Sequence, residues 1–254
     1  MRSGTAILIP ARRASTRLPE KLLLSESGRP VIAYACERAA LAFGAQAVTV
    51  CADDAALITA ARTTGVSAVM TRIDHQSGTD RIAEIAVGLA ANIIVNVQGD
   101  EPEMDPAHIR LVVALLERHP WAGMSTLCVP GTTAEQNNPN NVKVILGHNE
   151  RALWFSRCPV VYDRDHARPT TTCHRHLGIY AYRREVLLNY AALPPSGLEQ
   201  LEKLEQLRAL DAGIGIACAE VSHAQPGIDV RADYDAFLAR LKTGTNGVNK
   251  VTTP

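Results

Sequence analysis

The chain has 254 residues, of which 46% are hydrophobic and 20% are charged, a balance typical of a globular protein with a large core. Its 26 lysines and arginines equal its 26 aspartates and glutamates, so no overall charge favours nucleic acid or a membrane as a partner. Any site for an anion must therefore be local.

The amino terminus and the cysteines indicate the same compartment. The first ten residues lack the long apolar region of a signal peptide, and no apolar stretch approaches the ~20 residues of a membrane span. The cysteines are at least 15 positions apart, which excludes a CxxC pair; they are Cys36, Cys51, Cys128, Cys158, Cys173 and Cys218. We expect a soluble, cytoplasmic protein with reduced cysteines.

As far as residue 130, short apolar runs alternate with longer helical patterns. The predicted strands cover 5–10, 47–51, 67–70, 93–97 and 124–129, and the predicted helices cover 30–43, 53–64, 79–91 and 106–118. Strands that are apolar on both faces and separated by helices are typical of a mostly parallel sheet covered by helices on both faces. The sequence therefore predicts an α/β fold.

Beyond residue 130 the pattern changes. We expect a loop at 131–141, a hairpin formed by 142–146 and 152–157, a mobile loop at 163–173, a helix at 198–212, a strand at 214–220 and a helix at 231–242. The prediction is one domain over 1–242 with a hairpin insertion, in which about 131–213 serve dimerisation and the sugar site. Residues 243–254 are predicted to be a flexible tail.

The loop after the first strand is unusually basic. Residues 11–21 contain neither GxGxxG nor GxxxxGK[ST], but they hold four cations and two hydroxyls: Arg12, Arg13, Arg17, Lys21, Ser15 and Thr16. Such a loop can bind a polyphosphate through side-chain charge. It can equally be a solvated basic loop, and composition alone leaves both interpretations open.

Two aspartates follow predicted strands. Asp100 comes after an apolar strand and Gly99, and a carboxylate at that edge can serve Mg²⁺, which prefers hard oxygen ligands. The alternative is capping of the next helix, a role that better suits the acidic residues at 101, 103 and 105. Asp229 stands just before the last helix, where the simple interpretation is an N-cap.

The segment 74–81 lies between a short strand and a helix. Its small residues, Ser77 and Gly78, allow backbone groups to approach a base closely. They also suit a turn followed by an N-cap, and the two roles are compatible.

Several strings together are similar to one known family. They are IPARRASTRLPEK at 9–21, MTRIDHQSGTDRIAE at 70–84, VNVQGDEP at 95–102, FSRCP at 155–159, RHLGIYAYR at 175–183, LEQLEKLEQLRAL at 198–210 and GID at 227–229. In this order they resemble the CMP-Kdo synthetases, the 3-deoxy-manno-octulosonate (Kdo) cytidylyltransferases, over about residues 5–240. The resemblance implies a nucleotide-diphospho-sugar-transferase fold, usually a homodimer. It also implies Mg²⁺-dependent transfer of CMP from CTP to a small acidic sugar, in the service of lipopolysaccharide biosynthesis.

The family's site residues carry over onto matching positions. The resemblance places the nucleotide at Arg12, Ser15, Arg17, Lys21, Arg72, Ser77, Gly78 and Gln98. It places the sugar at Gln98, Arg157, His176, Tyr180, Glu205 and Gln206. It gives Lys21 a catalytic role and makes Asp100 and Asp229 catalytic ligands of Mg²⁺. Arg157 suits the sugar carboxylate, because a guanidinium binds carboxylates bidentately.

The chain departs from the family pattern at a few positions. Glu20 replaces a common Gly in the phosphate loop, Gly197 a common Pro, and Val230-Arg231 a common Thr-Pro. These changes leave open a related acceptor, such as amino-Kdo, a sialic-type sugar or a phosphonate. The rival functions are a metal-dependent glycosyltransferase and a non-catalytic nucleotide-binding protein.

Overall fold

The computed structural model describes residues 4–162, 164 and 174–244. By internal contacts the chain divides into two compact units, one drawn from residues 1–110 and 225–254 and the other from residues 111–224. The predicted hairpin and sugar-site region, about 131–213, falls within the second unit.

The described residues form alternating strands and helices. The strands are β1 (Thr5–Ala11), β2 (Val48–Ala52), β3 (Ser67–Met70), β4 (Ile93–Asn96), β5 (Met124–Pro130), β6 (Lys143–Leu146), β7 (Ala152–Ser156), β8 (His174–Arg183) and β9 (Ile216–Glu220). The helices are α1 (Val31–Phe43), α2 (Ala55–Arg62), α3 (Gly78–Ala86), α4 (Pro106–Arg118), α5 (Thr133–Asn137), α6 (Arg184–Ala192), α7 (Gly197–Glu202), α8 (Gln206–Asp211) and α9 (Arg231–Thr243).

The first unit contains a parallel sheet in the order β3-β2-β1-β4. Its central strands are apolar on both faces: Ile7, Leu8 and Ile9 of β1 are all completely buried. Consecutive parallel strands bring their carboxyl ends, and the loops that follow them, to the same edge. The basic loop after β1 and the acidic loop after β4 are therefore neighbours.

The second unit mixes strand directions. β5 pairs in parallel with β9 and antiparallel with β8, and β6 and β7 form the predicted antiparallel hairpin. Parallel pairs predominate over the two units, so the predicted α/β class with a mostly parallel sheet is confirmed.

Four local predictions need correction. The helix predicted at 79–91 ends at Ala86, since the chain turns at Gly88, whose amide bonds to Ile85 O. Residues 133–137, predicted as loop, form α5 because Thr132 and Glu135 make a capping box. The strand predicted from 214 begins at 216. The long strand β8 and the helix α6 were not predicted.

The helix predicted at 198–212 is two helices. It breaks at Lys203, whose left-handed backbone (φ 54°) ends α7. The break divides the leucine series: Leu204 and Leu207 are buried, whereas Leu201 is 82% exposed.

The remaining predictions divide between described and undescribed residues. Every helix among the described residues is too short or too polar to span a bilayer. The five described cysteines are all free thiols. Cys173, most of the loop predicted at 163–173 and the predicted tail from residue 245 lie outside the described residues.

Candidate active site

The basic loop after β1 is anchored by its two leucines. Leu18 is buried in a cluster with Val31 of α1 and with Tyr234 and Phe237 of α9. Leu22 is buried in the 3-10 turn Lys21–Leu23. These apolar anchors fix the backbone, so the cations between them are presented from a defined position.

Lys21 lies between the two predicted metal carboxylates. Its ammonium forms an ion pair with Asp100 and lies 3.4 Å from Asp229 Oδ1. The Lys21 side chain is only 13% exposed, and an ammonium group so far removed from water requires anionic partners. Arg17 Nη2 approaches the same Asp229 oxygen at 2.9 Å. The structure thus brings together four residues predicted for the phosphate and metal site.

Asp229 does not cap α9, so the N-cap interpretation of this residue is wrong. The backbone amides of Asp229 and Val230 both donate to Asp233 Oδ2, each at 2.9 Å. Asp233 is therefore the carboxylate that satisfies the helix start. The carboxylate of Asp229 is left to face Lys21 and Arg17.

A backbone hydrogen bond to Ile228 fixes the position of Asp100. Its carbonyl oxygen accepts from the amide of Ile228 at 2.9 Å, which ties the acidic loop to the residue next to Asp229. The capping role falls to Asp105, whose Oδ1 accepts from Ala107 N at 2.8 Å at the start of α4. Glu103, which we expected as another capping residue, instead forms an ion pair with Arg240 of α9.

The structure accounts for the unusual Glu20. Its backbone is left-handed (φ 51°), a conformation that favours glycine, which explains why a Gly is common there. The carboxylate turns toward Arg13, whose Nη2 lies 2.6 Å from Glu20 Oε1. This ion pair neutralises a charge that would otherwise repel a triphosphate.

Asp53 and Arg81 connect the strand ends, and the sequence analysis missed both. Asp53 follows β2 and accepts from the backbone amide of Arg13 at 2.9 Å and from Arg81 Nη2 at 3.2 Å. Arg81, on α3, also donates to Thr71 Oγ1 at 2.6 Å and to Arg72 O at 3.1 Å. Both charged side chains are at least nine-tenths buried. An apolar strand followed by an aspartate was the available signal for Asp53, and a similar pattern, with three intervening residues, points to Asp100.

The segment predicted to meet the base has the predicted helix-cap role, and its contact with a base stays a prediction. Ser77 caps α3 by accepting from Asp80 N at 3.1 Å. Gly78 packs so closely on Pro10 that an added Cβ would lie 3.1 Å from the proline ring, which requires a small residue there. Arg72 is exposed and pairs bidentately with Asp74. Gln98 donates to Asn96 Oδ1 at 3.1 Å.

Among the other predicted nucleotide residues, Arg12 is exposed and Ser15 is half-buried in the same loop. Neither side chain is fixed by a hydrogen bond to the described residues.

Arg157, in the second unit, is engaged by backbone oxygens. Its Nε donates to Glu202 O at 2.6 Å and its Nη1 to Pro139 O at 2.9 Å. Lys143 supports this arrangement: its ammonium is buried and donates to the carbonyls of Asn138, Asn141 and Arg157. The guanidinium is thereby held in one orientation.

His176 and Tyr180 lie on β8, and the His176 ring has aromatic neighbours in edge-to-face and tilted contacts. The His176 ring is 5.0 Å from Phe155 and 5.3 Å from Tyr180, centroid to centroid, and its Nε2 hydrogen-bonds with Thr126 Oγ1 at 2.9 Å. Burial, with a smaller contribution from Arg175, lowers the pKa of His176 to about 3. Burial raises the pKa of Tyr180 well above its ordinary value. Both groups are therefore neutral at physiological pH.

Glu205 and Gln206 follow the break between α7 and α8. The Glu205 carbonyl accepts from Tyr190 Oη at 2.6 Å, which fixes the start of α8. Gln206 is buried on the first turn of this helix.

Comparison with known proteins gives consistent results. A family model described as cytidylyltransferase matches residues 6–216. The 3-deoxy-manno-octulosonate cytidylyltransferase of Rhodopirellula baltica is 46% identical over 246 residues, which cover 93% of this chain and 98% of the relative. The enzyme of the same name from Escherichia coli is 43% identical over 239 residues, covering 94% of this chain and 96% of the relative.

Two solved structures are also similar to this chain. A structure of CMP:2-keto-3-deoxy-manno-octonic acid synthetase complexed with CTP is 41% identical, covers 95% of this chain and 100% of its own, and superposes with a TM-score of 0.90. A cytidylyltransferase from Leptospira borgpetersenii, with 17% identity and a TM-score of 0.60, shares the fold.

The depressed pKa of His176 makes stability depend on pH. In the unfolded chain a histidine titrates near pH ~6.5, so between about pH 6.5 and pH 3 the unfolded state binds the extra proton and stability falls as pH drops. When the pH falls from 7 to 5, we expect the free energy of unfolding of His176→Gln, which keeps a polar group near Thr126, to drop by roughly 2 kcal/mol less than that of the wild type. Urea unfolding at both pH values measures the two drops. Equal drops in the variant and the wild type would contradict the assignment.

Proposed function

Since this chain belongs to the 3-deoxy-manno-octulosonate cytidylyltransferase family, we propose that it transfers CMP from CTP to the anomeric hydroxyl of Kdo with Mg²⁺ held by Asp100 and Asp229. The enzyme class and the overall reaction follow from the family. The roles of individual residues and the metal are our proposal. The observation that carries them is the meeting of two carboxylates from separate segments at one ammonium group.

The donor set fits Mg²⁺. Two carboxylates that share one cation offer hard oxygen ligands in a small space, and Mg²⁺ typically takes one or two carboxylates together with substrate phosphates. No cluster of three or more His, Cys, Asp or Glu suited to a metal occurs among the described residues. The protein would therefore supply Asp100 and Asp229, and the triphosphate of CTP would supply further oxygens.

When bound, the metal would neutralise charge on the reacting phosphate and acidify the attacking hydroxyl. The residues of the chain bind and orient. Lys21, already fixed at the carboxylates, and Arg17, 2.9 Å from Asp229 Oδ1, offer their charges to the phosphates. Arg12, exposed and uncommitted within the described residues, is free to join them. Such positioning and charge neutralisation dominate phosphoryl transfer.

The step itself is an in-line displacement. The oxygen of the sugar's anomeric hydroxyl forms a bond to the α-phosphorus of CTP, the bond from that phosphorus to the bridging oxygen breaks, and pyrophosphate leaves. The hydroxyl proton is lost to solvent. The reaction needs no covalent enzyme intermediate, so we assign no nucleophile.

The sugar would be bound by residues of the second unit. Kdo carries a carboxylate and several hydroxyls, which call for one cation and neutral hydrogen-bonding groups. Arg157 supplies the cation, and His176 and Tyr180 are held neutral by burial, so they can exchange hydrogen bonds with hydroxyls without adding charge. Glu205 and Gln206 complete the proposed set in this unit.

We also propose that the protein works in the cytoplasm as a homodimer and provides the activated sugar for lipopolysaccharide. CTP is an intracellular substrate, and the described cysteines are all free thiols, which suits a reducing compartment. The exposed Leu201, Leu198 and Tyr162 provide apolar surface in the second unit that an identical subunit could cover.

The activity is tested directly by pyrophosphate release from CTP, UTP and ATP with Mg²⁺ and a panel of acidic acceptors. We expect turnover with Kdo and a preference for CTP, because the base segment offers backbone groups for one pyrimidine edge. A CMP conjugate formed with amino-Kdo, a sialic-type sugar or a phosphonate but not with Kdo would overturn the acceptor while preserving the reaction.

Asp100→Asn should reduce kcat by about 100-fold or more at saturating Mg²⁺, because a neutral amide is a poor ligand for a hard cation. The fold should persist, since the backbone bond to Ile228 is unaffected. Asp235→Asn, which removes an exposed carboxylate on α9, is the control and should retain full activity. A near-native kcat for Asp100→Asn would remove this residue from the site.

The dimer is tested by light scattering at micromolar concentration. We expect twice the chain mass of 27.4 kDa, and Leu201→Glu should shift the particle toward the monomer by placing a charge on the apolar surface. A wild-type particle of the chain mass would refute the proposal.

A further inference from the structure

The ion pair between Glu103 and Arg240 lies outside the residues assigned so far, yet it touches both segments that carry the metal carboxylates. Glu103 belongs to the acidic loop, three residues after Asp100, and Arg240 lies on the last turns of α9, the helix that begins just after Asp229. We propose that this pair is a positioning device that sets the separation of Asp100 and Asp229, an inference that rests on the metal role proposed above.

Several hydrogen bonds fix the two side chains relative to each other, and we call this Glu103–Arg240 pair the clamp. Arg240 Nε donates to Glu103 Oε2 at 2.9 Å and lies 3.2 Å from Oε1, and its Nη2 donates to Oε2 at 2.6 Å. The Glu103 side chain is 4% exposed and that of Arg240 is 24% exposed. A carboxylate this buried requires its partner, and several bonds to one guanidinium specify orientation as well as distance.

The clamp is the second of two attachments between the same segments. The first is the hydrogen bond from Ile228 N to Asp100 O, 2.9 Å long, at the start of α9. Arg240 lies nine residues beyond Arg231, or about 14 Å further along the helix axis. One attachment would let the helix pivot against the acidic loop, whereas two attachments this far apart prevent it.

Among the described residues, a longer route between the two segments runs through α1. Phe237 packs α9 on Tyr34 of α1, and Arg38 of α1 donates to Met104 O in the acidic loop at 2.9 Å. Near the carboxylates, Lys21 contacts both of them and Gly227 packs against Glu101. The Glu103–Arg240 pair adds a direct contact toward the far end of α9, where the route through α1 is otherwise the longer one.

The position of the carboxylates matters because Mg²⁺ tolerates little error. Its ligands lie at about 2.0–2.1 Å in near-octahedral geometry, so two carboxylate oxygens on one ion must be about 3 Å apart. A misplacement of ~1 Å in a reacting constellation can reduce the rate by about 100-fold. A clamp outside the site can therefore act on metal affinity and on kcat without touching a substrate.

The test compares Arg240→Met, Arg240→Lys and Glu103→Gln with the wild type. The probe is Mn²⁺ bound in the presence of CTP without sugar, followed by the electron paramagnetic resonance of free Mn²⁺. Turnover gives kcat, the KM for CTP and the half-saturating Mg²⁺. Glu37→Gln, which removes the carboxylate of the exposed Arg29–Glu37 pair in the same unit, is the matched control.

We expect Arg240→Met to raise the Mn²⁺ Kd and the half-saturating Mg²⁺ by about fivefold to tenfold and to lower kcat by about tenfold. The KM for CTP at saturating Mg²⁺ should change less than twofold. Glu103→Gln should be milder, because an amide oxygen still accepts from Arg240, and Glu37→Gln should match the wild type. If Arg240→Met does not fold, Arg240→Lys decides the question. Lysine keeps the positive charge but lacks the paired guanidinium N–H groups that bind Glu103, so we expect at least a twofold rise in the Mn²⁺ Kd.

The inference is overturned if the folded variants have a lower Tm but a metal affinity within twofold of the wild type, because the pair would then be structural only. A different result marks failure of the proposed function itself: wild-type protein that binds no Mn²⁺ with CTP, or Asp100→Asn that binds it as well as the wild type.

Discussion

One ammonium group between two carboxylates organises the first unit. The three groups are Lys21 in the loop after β1, Asp100 in the loop after β4 and Asp229 in the segment that leads into α9. Each segment has its own anchor. Leu18 and Leu22 hold the first, the bond from Ile228 holds the second, and Asp233 holds the third. The Lys21 side chain is the poorly solvated member at 13% exposed, whereas Asp100 and Asp229 are 29% and 50% exposed. Because this ammonium requires its anionic partners, the three anchors must agree on one geometry. The metal and triphosphate roles proposed above rest on that geometry.

The buried Asp53–Arg81 pair connects the loops after β1, β2 and β3. Asp53 holds the backbone of Arg13 beside the phosphate cations, and Arg81 holds Thr71 and Arg72 beside the base segment. Because both charges are nearly buried, their hydrogen bonds are hard to replace by water. The spacing between the loop after β1 and the segment after β3 is consequently a property of the folded sheet edge and not of the loops alone.

The departures from the family pattern are accommodated locally. Glu20 takes the left-handed backbone that a Gly would adopt and directs its carboxylate to Arg13. Gly197 opens α7 after the Ser196 cap, and the space around it is empty for a Cβ, so a Pro would fit the same first-turn position. Arg231 pairs with Glu26 and Asp235 at the surface. None of the three places an unpaired charge at Lys21, which agrees with retention of the family's reaction.

The sequence alone determined the parallel α/β framework. Apolar runs bounded by turns predict buried strands, and the loops that follow parallel strands meet at one edge, so the loops that carry Lys21 and Asp100 are expected to be neighbours. The ion pair between the two side chains agrees with that expectation, and their roles toward a nucleotide are the proposal made above. Only the tertiary structure decided the rest. Asp229 could cap its helix or face the site, and the choice depended on Asp233 lying four residues later. The helix break at Lys203 and the turn at Glu20 each depend on a left-handed backbone angle that no periodic pattern encodes. The Glu103–Arg240 contact depends on two residues that are distant along the chain. Local patterns report which faces are buried, whereas partners for buried charges are chosen by packing in three dimensions.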